Sequence, residues 1–143
     1  MTFSTRHRLL GLLLTLNGTA ACATPAAGSW SEHARVAAGG LVIQQVEAQA
    51  CYADGQSSSA VHAERIARRL IDPSCSSEPG TTMDTSRYAI RCGGSAFGDG
   101  VATLSETDNH TMRIDISFHN HATGVDMEYL VDTSWTQPQC SPH

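Results

Sequence analysis

Five cysteines constrain this chain more than any other feature, because one of them falls in a different kind of sequence from the other four. Cys22 closes an N-terminal segment with the layout of an export signal. Cys51, Cys75, Cys92 and Cys140 follow in the body. An even number of thiols behind an export signal reads as a disulfide framework in an oxidising compartment. The fold must then bring four positions, scattered over most of the chain, together in pairs.

The leader has three parts. Arg6, His7 and Arg8 are basic, Leu9 to Leu16 are largely apolar, and Thr19-Ala20-Ala21-Cys22-Ala23 are small. An apolar run of eight residues is too short for a bilayer, which takes roughly 20, so residues 1–22 are set aside as a signal peptide. Ala20-Ala21 before Cys22 resembles a bacterial lipobox, in which the cysteine is lipidated, although Thr19 stands where that motif has Leu. A plain cut after Ala23 is the alternative, and either outcome removes the odd thiol. Residues 23–29 read as a short tether. Residues 30–143 read as one disulfide-stapled domain, since the length suits a single core. The expected location is the periplasm, with membrane contact only through a lipid at Cys22.

Charge narrows the partners. The net charge is -5, and it becomes -7 once Arg6 and Arg8 are removed with the leader. Nucleic acid is not expected, because its binding leans on clustered Lys and Arg. All nine basic residues are Arg, and the one local group, Arg65, Arg68 and Arg69, reads as the solvated face of a helix.

Patterning supplies the elements. Trp30 to Val36 alternates loosely and predicts a strand, Gly39-Gly40 a hairpin turn, and Leu41 to Cys51 a second strand. Ala60 to Ile71 carries an apolar stripe (Val61, Ala63, Ile66, Ala67, Leu70) at helical spacing, and Asp72-Pro73 ends it. A weak strand is expected near Ser77 to Met83 and a stronger one over Arg87 to Cys92. Gly93-Gly94 and Gly98-Asp99-Gly100 read as punctuation before a strand over Val101 to Glu106. Met112, Ile114, Ile116 and Phe118, then Val125, Met127, Tyr129, Val131 and Trp135, alternate cleanly enough to mark two half-buried antiparallel strands. Pairing Phe118 with Val125 would place all these side chains on one face. The fold class is therefore α+β: an antiparallel meander of about seven strands curved over a single helix.

On that frame Cys75 and Cys92 flank a hairpin turning near Met83-Asp84 and stand opposite each other, which leaves Cys51 for Cys140. This is one of three connectivities that four cysteines allow.

Several of these features together resemble a Gram-negative domain-of-unknown-function family, the one numbered thirty-six seventeen. They are Gly28-Ser29-Trp30 after a leader, Cys51 before a helical stretch, the Cys75–Cys92 hairpin, the glycines from Gly93 to Gly100, the amphipathic strands and a terminal Cys140. The resemblance implies a periplasmic or membrane-tethered protein and brings no catalytic residues.

Chemistry is sparse. His119-Asn120-His121 at a strand end places two imidazoles on one side, a spacing used by zinc and copper sites, with no evident third ligand. Gly93 to Gly98 resembles a nucleophile elbow only loosely and reads as a flexible connection. Bridged cysteines are poor nucleophiles, and no cofactor is expected. Trp30, Tyr88, Tyr129 and Trp135, with Met112 and Ile114, could line an apolar groove for a lipid-like ligand or an envelope protein, or simply form the core. The function expected is a binding or accessory module rather than an enzyme, with metal binding through His119 and His121 as the alternative.

Overall fold

A computed structural model describes residues 24–80 and 86–140. Its elements are β1 (Gly28–Ala38), β2 (Leu41–Tyr52), α1 (Ser59–Leu70), β3 (Ser76–Pro79), β4 (Arg87–Cys92), a 3-10 turn (Gly94–Ala96), β5 (Gly98–Asp108), β6 (Thr111–Asn120) and β7 (Val125–Gln137). All seven strands join one antiparallel sheet in the order β2-β1-β7-β6-β5-β4-β3. The α+β expectation holds, with this detail: β3 to β7 run as a meander, and the β1–β2 hairpin docks by β1 onto β7. β2 and β3 are therefore the two edges.

Each element has a local cause. Gly39 and Gly40 both have positive φ, 57° and 80°, as a two-residue hairpin turn requires. Ser58 caps α1, its side chain accepting the Val61 N–H. Ala63, Ile66 and Ala67 are fully buried beneath the sheet. The helix packs on β3, β4 and β5, while Arg69 and His62 reach β1 and β2 from the same helix. Strands from both sides of the sheet thus meet one helix, so the sheet curls around it. Ile90, Ala102, Ile114, Ile116, Phe118 and Val131 fill the interior between them.

Two expectations need correction. Phe118 pairs with Met127, not Val125, and Ile114 with Val131. The strands run two residues closer to the turn than the alternation suggested, because a four-residue connection suffices. Asn120 Oδ1 accepts the N–H groups of Ala122 and Thr123, and Gly124 takes φ 69°. A slip of two leaves every side chain on its expected face, so patterning alone could not detect it. Gly98 and Gly100 are not punctuation but part of β5. A Cβ on either would lie 2.1 Å from the His119 carbonyl oxygen or 2.3 Å from that of Ser117, with the Phe118 ring against both. The glycines let the β6 backbone and Phe118 close over this end of β5.

Both disulfides have the expected connectivity. Cys75–Cys92 spans the β3–β4 hairpin with a Cα–Cα distance of 4.0 Å, in register with the Ser76–Arg91 pair. Its turn near Met83-Asp84 lies outside the described residues, as do the leader and Cys22. Cys51–Cys140 closes a separation of 89 residues with a Cα–Cα distance of 5.5 Å. In chain-entropy terms the short and long bridges contribute about 3 and 4–5 kcal/mol. They sit at opposite ends of the sheet. The Cys51 staple lies at the end where the chain enters β1 at Gly28. The Cys75 staple lies at the distal end, with the Gly39-Gly40 and 121–124 turns.

Candidate functional site

Polar side chains gather in three groupings on the sheet and the segment after α1. The first is buried. On β1 the core-facing parity reads Trp30, Glu32, Ala34, Val36, so a carboxylate falls in an otherwise apolar row, and Glu32 is 1% exposed. Tyr52 OH donates to Glu32 Oε1 at 3.2 Å, and the Arg69 guanidinium forms an ion pair with Oε2. Next to them His62, fully buried on α1, stacks on the Tyr52 ring with centroids 3.7 Å apart and meets Trp30 edge-on at 4.9 Å.

His62 Nε2 lies 3.2 Å from Ser57 Oγ, which superficially makes a serine–histidine pair. The wiring is the reverse of a catalytic one. Ser57 gives its single hydroxyl proton to the Ala26 carbonyl at 3.0 Å, so Nε2 must carry the hydrogen and donate to Oγ. Nδ1 then holds a lone pair with no hydrogen-bond partner among the described residues. A general base accepts the nucleophile's proton, the opposite of the direction in this arrangement. Burial, followed by the nearby Arg65 charge, pushes the imidazole down to about 3, so it is neutral. Burial and the Glu32 charge push the Tyr52 phenol well above its ordinary value. The cluster latches the helix to the β1–β2 hairpin.

The second grouping surrounds Asp72, just past α1. Its Oδ1 accepts from Ser74 N at 2.9 Å and Ser74 Oγ at 2.6 Å, and Oδ2 accepts from Ser95 Oγ at 2.6 Å. These bonds, the Ser74 hydroxyl first, hold the carboxyl far below the ordinary range. The Gly93–Gly98 stretch, expected to be a flexible connection, is a 3-10 turn wrapped on this carboxylate. Ser95 is spent on Asp72.

The third lies at the distal end. Asp99 on β5 and Asp126 on β7 both stand opposite His119 on β6. His119 Nδ1 meets Asp126 Oδ1 at 2.6 Å, and His121 Nε2 pairs with Asp99 Oδ1. The two imidazoles are 5.0 Å apart, and Phe97 packs against His121 at 5.4 Å. Among the described residues no group of three or more His, Cys, Asp or Glu is placed to hold a metal ion. Leu41, Phe97 and Val125 are exposed at this same end, at 73%, 59% and 41%.

The groove residues separate. Trp30 belongs to the buried cluster. Tyr88 and Tyr129 lie within the apolar core with Met112 and Ile114. Trp135 is half-buried beside Trp30 on the neighbouring strand, donates to the Ala27 carbonyl and packs on His110. The arginines are exposed but not idle. Arg65 donates to the Cys51 carbonyl and lies 4.9 Å over the Tyr52 ring, and Arg68 donates to the Cys75 carbonyl. Reading the sequence missed Glu32 and His62. The available signals were Glu32 on the apolar parity of its strand, and His62 one turn before Ile66 and two before Arg69.

No family model, no curated protein and no solved structure matches this chain.

Proposed function

We propose that the protein is an exported module of a Gram-negative cell envelope that works by binding. It is held in the periplasm, either by a lipid on Cys22 or free after a cut beyond it. The observation that carries this reading is the pairing of all four body cysteines. Such bridges persist where thiols are kept oxidised and are rare in a reducing cytosol. The charge and apolar pattern of the leader and the family resemblance point the same way. Binding is favoured over catalysis because, among the described residues, the buried serine–histidine contact, Ser57 with His62, has the serine hydroxyl donating to a backbone carbonyl. The exposed apolar side chains Leu41, Phe97 and Val125 lie at the distal end, away from the point where the tethering segment enters the fold.

The test is fractionation of the full chain expressed in a Gram-negative host, with thiol trapping and fatty-acid labelling. The expected result is envelope material with no free thiol among the four body cysteines and a lipid label lost in Cys22→Ala. An unlabelled periplasmic protein would select the plain cut. Cytosolic protein with four free thiols would overturn the proposal.

A second reading, metal binding at His119 and His121, has one observation in its favour. Each imidazole is oriented through one nitrogen by its own carboxylate, leaving the other nitrogen for a ligand, as in carboxylate–histidine–metal arrangements. Titration calorimetry with Zn2+ and Cu2+ decides it, and equal heats from wild type and a His119→Ala, His121→Ala double variant reject it.

A further inference from the structure

The two edges of the sheet are treated differently. β3 has four residues, carries Glu78 and ends in Pro79, and its Ser77 is tied to α1 through the Ala60 carbonyl. These are the devices by which proteins blunt a sheet edge. β2 has twelve residues, with neither proline nor lysine, and its single charge is Glu47. Leu41, Val42 and Ile43 are 73%, 56% and 60% exposed. Its one irregularity is a bulge at Ile43, between the Val36–Gln44 and Ala37–Val42 pairs. At the far end the Cys51 carbonyl is taken by Arg65, which sets the limit of the open run at Ala50.

We propose that β2 pairs with β2 of a second copy of this chain, antiparallel about a two-fold axis normal to the sheet, joining two seven-stranded sheets into one. The proposal is independent of the envelope reading. Three features select this occupant. An antiparallel strand edge is complementary to itself under a two-fold. The blunted β3 prevents β2 from adding to the opposite edge of another copy, so association closes at a dimer instead of running on as a fibre. The charge pattern also allows it. Centring the axis on Val46 sets Glu47 against the partner's Gln45, and Gln44 against the partner's Ala48. Val42 and Ile43 then lie along the partner's Ala50 and Gln49, within the open run, which brings two exposed apolar side chains into the pairing. Moving the centre to Glu47 would oppose two carboxylates, so that register is disfavoured. A strand with one charge offers little to select a charged peptide, which is why a second copy is preferred over an extended partner.

The experiment uses the mature, oxidised chain in sedimentation equilibrium, with four variants at three positions of β2. Gln45→Glu sets a carboxylate against the partner's Glu47 twice per dimer and should weaken association about five-fold; Gln45→Arg should tighten it by a similar factor. Val46→Cys should cross-link to itself on oxidation, while Gln49→Cys, far from its own copy, should not. Wild type that stays monomeric at 100 µM, or a dimer indifferent to both Gln45 substitutions, would overturn the proposal. So would equal cross-linking from the two cysteine variants.

Discussion

The helix has two buried neighbourhoods, and they are held by different forces. Toward β3, β4 and β5, Ala63, Ile66 and Ala67 pack against Ile90, Ala102 and Leu104 in a wholly apolar interior. Toward β1 and β2, the contacts are Glu32 with Arg69, Tyr52 with Glu32, and His62 between two aromatic rings. The first neighbourhood stabilises through area and packing density. The second hides charged and polar atoms, so its worth depends on keeping the partners they have. Nonpolar packing degrades gradually when trimmed. A buried polar set fails when one member goes and recovers when its counterpart is removed as well.

That contrast can be broken by mutation. Ile66→Ala should cost the most, about 4 kcal/mol, through lost transfer energy and a residual cavity, read as a lowered midpoint in urea unfolding. Arg69→Met should cost about 3 kcal/mol, because it strands the Glu32 carboxylate at 1% exposure. Adding Glu32→Gln should restore most of that loss, since the amide oxygen can still accept from Tyr52. Failure of the double variant to recover would mean the two sides of the helix are not distinct. The smallest effect sharpens the comparison through pH. His62 is held at about 3 when folded against an ordinary 6.5, so between those values the unfolded chain binds the extra proton. Stability should therefore be full above about pH 6.5. It should decline as pH falls, by up to roughly 1.4 kcal/mol per unit from this residue. Between pH 6.5 and 5, before most carboxylates titrate, His62→Gln should flatten the slope. An unchanged slope there would remove His62 from the buried set.

The same contrast explains how much could be read in advance. The apolar side of the helix was legible, because Ala63, Ile66 and Ala67 repeat at helical spacing and nothing else competes for them. The last two strands were equally plain, yet their register slipped by two, since either register hides the same side chains and only Asn120 and Gly124 distinguish them. The cysteine pairing followed from hairpin symmetry about the β3–β4 turn. The polar side was not legible. Glutamate and histidine are ordinarily surface residues, and what buries them here comes from Trp30 and Tyr52, brought beside α1 only by folding. The distal imidazoles were found by their spacing, but their carboxylates, Asp99 and Asp126, lie on flanking strands that the spacing does not mention.

β1 is bonded along its length to β2 on one side and β7 on the other, both antiparallel to it. Tension applied at Gly28 from the segment before it would run parallel to the strand. It would load both ladders in shear at once instead of peeling one bond at a time, and Cys51–Cys140 fastens the flanking strands at that same end. A domain hung by its N-terminus from such a strand is held through two ladders at once.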